Sequence, residues 1–121
     1  MAAFLNALTD RTSCGLILDV YNLECDAHNH GFDIPAFLNE LHTTKVRELH
    51  VARGVEHNGL LLDVHSQLID PATIELAQQV VERSTGSAQL VVYEFMPEAV
   101  PNLGHAAIAE QFVRLRSAFG S

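Results

Sequence analysis

Positive charge is scarce in this chain. Seven Lys and Arg stand against 15 Asp and Glu in 121 residues, a formal net charge of −8. The few basic residues form no cluster, and a nucleic-acid surface needs a basic patch to meet the phosphates, so that class of partner is excluded. Cysteine is scarce too. Cys14 and Cys25 are too few for a disulfide scaffold, and a reducing compartment would keep both as thiols. No apolar run reaches the ~18 residues of a membrane span, and no basic segment precedes an apolar one at the N-terminus as in a secretory signal. The expectation is therefore a cytoplasmic chain with no membrane partner. Internal repeats, linkers and low-complexity tracts are missing as well, which leaves a single domain over 1–121.

Apolar residues and histidine are plentiful by contrast, at 48% of the chain and seven residues. The first segment, "AAFLNALTDR", places Phe4, Leu5 and Leu8 on one helical face. "GLILDV", 15–20, reads as a short strand buried on both faces, with Cys14 packed at its start. Residues 21–33 read as a polar loop, with Cys25 as a surface thiol. "DIPAFLNELH" offers Asp33 as N-cap and Pro35 in the first helical turn. "KVRELHVA", 45–52, is a second strand, and "GLLLDVH", 59–65, is a short strand or hairpin. Asp70 and Pro71 open the clearest helix, whose stripe is Ile74, Ala77, Val80 and Val81. "AQLVVYEF", 88–95, is another strand. A last helix carries Ile108, Phe112, Leu115 and Phe119 on one face. Strands alternating with helices mean βα units and a parallel sheet, so the fold class is α/β. A flavodoxin-like sheet and part of a (β/α) barrel both fit.

Parallel βα folds place their sites at the C-terminal ends of the strands. Asp19 closes "GLILD", His50 closes "VRELH", Asp63 and His65 close "LLLDVH", and Glu94 closes "LVVYE". Asp63 and His65 are two apart, so an extended backbone turns both side chains to one face. Any one of these residues alone reads as a cap or a loop anchor. Their recurrence at every strand end points to a shared metal, and carboxylates with imidazole favour iron or manganese over thiolate-bound zinc, although zinc remains open. His28 and His30 divide between loop scaffolding and a role near the site. His42, His57 and His105 read as surface residues.

With these residues in view, "CGLILDVYNL", "NHGFD", "VRELHVA", "EHNGLLLDVH" and "VVYE" resemble, in order and spacing, blocks of the multinuclear non-haem iron-dependent oxidases, the family of the methanobactin biosynthesis oxidase. The resemblance runs from about Phe4 to Phe119. It implies a TIM-barrel fold, two or three irons, and O2-dependent modification of cysteine in a peptide substrate held by a partner protein. It places Asp19, His50, Asp63, His65 and Glu94 at metal-ligand positions. Asn22, with His28 and His30, becomes a candidate metal or substrate contact. The family's usual Asn-Asn after Asp-Val is here Tyr21-Asn22, and its Gly-His after the strand-end histidine is here Arg53-Gly54.

The likeness covers only the C-terminal part of such a barrel. Three or four strands cannot close one, and an open sheet leaves unpaired edges and an apolar face. The expectation is a partial (β/α) TIM-type barrel that forms a homo-oligomer or pairs with a complementing barrel half. Alone it would be inactive or weakly active as an oxidase. Two alternatives stand beside this reading: a fragment of a xylose-isomerase-like barrel using a divalent metal as Lewis acid, and a non-catalytic assembly or binding module.

Overall fold

The computed structural model describes residues 1–120. Helix α1 (Ala2–Arg11) leads to strand β1 (Leu16–Asp19), then α2 (Val20–His30) and α3 (Ile34–Glu40). Strand β2 (Val46–Val51) follows, then two two-residue strands, β3 (Glu56–His57) and β4 (Leu60–Leu61). Next come α4 (Pro71–Arg83), β5 (Leu90–Tyr93), a short α5 (Val100–Leu103) and α6 (His105–Phe119).

The sheet is parallel, in the order β1-β2-β5. This is the alternating α/β pattern read from the sequence, and it is a barrel-like fragment rather than a closed barrel. Of the readings open for 59–65, the hairpin is the one found: β4 pairs antiparallel with β3, and the chain beyond Leu61 is irregular. Asp63 and His65 therefore do not end a sheet strand.

Register divides the sheet residues between two faces. Asp19 lies beside His50, and Ile17 beside Glu48, which in turn faces Leu90. A register shift between Leu16 and Ile17 puts Val46 on the opposite face from Glu48 and His50. One face is thus Leu18, Val46, Leu49, Val51, Val91 and Tyr93. It packs into the core with Val20 and Leu23 of α2, Ile74, Ala77 and Val80 of α4, and Ile108 and Leu115 of α6. The other face carries Ile17, Asp19, Glu48, His50, Leu90, Val92 and Glu94. Ile17 is 63% and Leu90 52% exposed. The strand 15–20 is therefore buried on one face, where burial on both was expected.

The largest departure from the sequence reading is α2, where a polar loop was expected. Its polar residues hide the helical signals. Asp19 is its N-cap, with a carboxylate accepting from the Asn22 N–H at 2.9 Å. Gly31 ends it in the left-handed region at φ 73°. Val20 and Leu23 meet the main core, while Tyr21 and Cys25 bury a second cluster with Ala52. Cys25 is thus buried and Cys14 exposed, the reverse of the expectation for both. On α1 the buried residues are Ala2 and Thr9, and Phe4 and Leu8 face outward. On α6, Phe112 is half exposed, and Gln111 is buried, its amide oxygen accepting from the Ile69 N–H. By contrast α4 follows its sequence closely, with Asp70 accepting from the Ala72 N–H. No described helix is long and apolar enough to cross a membrane.

Candidate metal centre

The turn from β1 into α2 builds the first part of the site. Asp19 must leave the strand to cap the helix, so its carboxylate sits at the C-terminal edge of the sheet. Asn22, one turn on, secures two acids at once. Its backbone N–H donates to Asp19 Oδ1, and its side-chain Nδ2 donates to Asp63 Oδ2 at 2.7 Å. Asn22 is thus a donor to the carboxylates.

Asp63 arrives on an irregular segment, so other contacts have to fix it. Tyr21 Oη donates to the Leu62 carbonyl at 3.1 Å. Asn29 forms two bonds to Leu61, through its Nδ2 to the carbonyl and its Oδ1 to the N–H, both 2.8 Å. His28 Nε2 bonds the Gly59 carbonyl at 2.9 Å. Three residues of α2 thereby bind one edge of the hairpin and its exit. Gly54 completes the seat. A methyl group there would collide with the carbonyl oxygens of Leu62 and Val64 and crowd Tyr21 Oη, so only glycine lets the two segments come this close.

These contacts bring Asp19, Asp63 and His65 together. Each offers one ligand atom, and the three atoms lie within 4.8 Å of one another. His65 Nε2 is 3.0 Å from Asp63 Oδ1 and 3.7 Å from Asp19 Oδ2. Its Nδ1 is 3.1 Å from Glu94 Oε2. The other oxygen of Glu94 is 3.0 Å from His50 Nδ1, and His50 Nε2 is 2.6 Å from Glu48 Oε1. The five residues singled out from the strand ends thus form one continuous array, with Glu94 between the two imidazoles. His28 instead supports the hairpin, and His30 is exposed at the end of α2.

The array concentrates negative charge. Burial raises the pKa of Asp19, and the neighbouring Asp63 and Glu94 charges add to this. The Asn22 N–H and His65 pull the other way. Burial alone would push the His50 imidazole down, but the Glu48 and Glu94 carboxylates outweigh it and the pKa is raised. Crowded carboxylates beside imidazoles suit a divalent cation chemically: two hard oxygen donors and one borderline nitrogen are a donor set for iron, manganese or zinc.

Sequence reasoning missed Glu48, Asn29 and the pairing of Tyr21 with Gly54. Glu48 had a signal, since it stands two residues before His50 and shares its face. The others act across more than 30 residues of chain and had none.

Known proteins resemble this chain along most of its length. The family described as RiPP precursor modification enzyme MbnB/TglH/ChrH matches residues 1–111. A UPF0276 protein of Anaeromyxobacter sp. (strain Fw109-5) is 34% identical over 101 residues, covering 84% of this chain and 35% of the relative. A UPF0276 protein of Vibrio vulnificus is 30% identical over 116 residues, covering 92% and 40%. One of Bordetella pertussis is 41% identical over 80 residues, covering 62% and 28%. The chain spans well under half the length of these relatives. A match over nearly the whole chain, at these identities, makes it a member of the RiPP precursor modification enzyme family MbnB/TglH/ChrH.

Proposed function

We propose that this chain carries part of the metal centre of an iron-dependent oxidase that acts with O2 on cysteine in a peptide substrate. The observation that carries the reading is the convergence of Asp19, Asp63 and His65, with Glu94 and His50 continuing the array. Asp19, Asp63 and His65 would hold one ion, and His50 and Glu94 extend the donor set toward a second. When bound, iron supplies the redox capacity toward O2 that oxidation of a thiol requires. The chain's own residues position the donors. Asn22 orients both aspartates, Tyr21 and Asn29 hold the segment that carries Asp63, and Glu94 fixes the ring of His65.

A complete site of this kind needs further protein beside these residues. Among the described residues β1 and β5 each pair on one side only, and the sheet face that bears the site is open. A groove of about 570 Å³ beside β1, walled by Leu5, Ile17, Phe32 and Phe37, reaches Asp19 and Asn22. Further protein, for which relatives well over twice this length have the residues, would fill it and shield the site from water. The partner is a complementing barrel half, or a second copy where none is present.

The test combines metal content with turnover. Anaerobic loading with Fe(II), followed by elemental analysis, should give bound iron that is lost in His65→Ala with helix content unchanged. Unchanged metal in that variant would refute the ligand set. O2 consumption with reductant and a cysteine-containing peptide should be slow for the 121-residue chain and rise when the complementing part is added. Equal rates would show that these residues alone complete the site.

A further inference from the structure

Glu48 belongs to no ligand position assigned above, yet it makes the shortest contact in the array, 2.6 Å from Oε1 to His50 Nε2. It lies on the open face two residues before His50, one strand repeat deeper in the sheet. The two nitrogens of an imidazole point away from each other, so Glu48 and Glu94 hold opposite flanks of one ring. Glu94 is the side continuous with His65 and the aspartates. We propose that Glu48 is a positioning residue: it takes the Nε2–H of His50 and so leaves the Nδ1 lone pair aimed at the Glu94 side as the donor.

The competition between the two carboxylates supports this assignment. A neutral imidazole carries one N–H, and only one flank can receive it. The Glu48 contact is the shorter, 2.6 against 3.0 Å. Glu94 is also engaged through its second oxygen by His65 Nδ1, whereas Glu48 has no other polar side-chain contact among the described residues. A proton on Nε2 therefore satisfies Glu48 and frees Nδ1. Carboxylates placed behind a ligating histidine in this way fix its tautomer and raise its basicity.

The metal part of this inference rests on the proposed function; the tautomer part does not. Nitrogen-15 NMR of the metal-free chain, on the alkaline side of imidazole titration, reports directly which His50 nitrogen is protonated. Wild type and Glu48→Gln, whose amide oxygen can still accept, should show His50 predominantly as the Nε2–H form. Glu48→Ala should shift it toward a mixture. Fe(II) affinity, measured anaerobically on the same proteins, should fall about 10- to 100-fold in Glu48→Ala and largely recover in Glu48→Gln. Wild type with its proton on Nδ1, or Glu48→Ala with unaltered tautomer and affinity, would overturn the assignment. A wild-type chain with the Nε2–H form but no metal binding would overturn the metal reading and leave the role of Glu48 in the ring's orientation intact.

Discussion

The two faces of the sheet carry the same strands and opposite fates. On one, Leu49 and Val51 are fully buried beneath helices. On the other, Ile17 and Leu90 stay half or more exposed, and the polar array crosses the sheet between His50 and Glu94. The covered face supplies stability and the open face holds the candidate metal centre. Alternation along each strand makes this possible, because residues two apart share a face and neighbours do not. Charge is tolerated on the open side because water still reaches it. The same charges on the covered side would need full pairing.

That division predicts unequal costs of truncation. Leu49→Ala should cost about 2–5 kcal/mol, the range for emptying a fully buried leucine site, read as a fall in the urea midpoint. Ile17→Ala in the same isolated chain should stay within about 0.5 kcal/mol. A large loss from Ile17→Ala would mean that the open face is already covered in solution. Sedimentation of Ile17→Asp would then show whether a second copy does the covering.

Gly54→Ala sharpens the comparison by acting between the faces and the hairpin. Overpacking against two carbonyl oxygens should cost about 1–3 kcal/mol and displace Asp63, so metal retention falls together with thermal stability. His65→Ala should separate those two readouts, losing metal while the melting temperature of the metal-free chain barely moves. If Gly54→Ala lowered stability and left metal content intact, the seat built by residues 61–64 would not control Asp63.

The smallest effect concerns Glu24, whose carboxylate accepts from the Thr73 hydroxyl between α2 and α4. Burial raises its pKa above the ordinary glutamate value, and the Thr73 hydrogen bond and Arg53 offset only part of this. A raised folded-state pKa favours the native state below the unfolded value, and that benefit is lost as pH rises through the folded value. Wild type should therefore gain stability relative to Glu24→Gln on mild acidification, in melts compared across pH. A loss of wild-type stability relative to Glu24→Gln on acidification would reverse the sign and disprove burial as the dominant influence.

The sequence revealed those parts of the molecule whose signals are local. The Asp70-Pro71 start and the spacing of Ile74, Ala77 and Val80 define α4 without any partner. Strand-end position was enough to pick out Asp19, His50 and Glu94. The i, i+2 spacing found Asp63 and His65 even though the segment beyond Leu61 is not a strand. Helix α2 was obscured because Asn22, Glu24, Asp26 and Asn29 look like loop residues until their partners are known. Asn22 and Asn29 spend their amides on the hairpin, and Glu24 pairs with α4. Local composition cannot report a partner 32 to 49 residues away.

Asn22 and Asn29 also make α2 a measuring device. They stand seven residues apart, close to two full turns or about 10.5 Å of rise, and so emerge on nearly the same side of the helix. One grips Asp63 and the other Leu61. Substitutions elsewhere on α2 leave that phase alone, but one inserted residue between them would rotate one amide by roughly 100° relative to the other. Asp63 would then lose its alignment with Asp19 and His65 although no donor had been altered. The helix can vary in composition across its exposed positions, but between Asn22 and Asn29 its length is fixed.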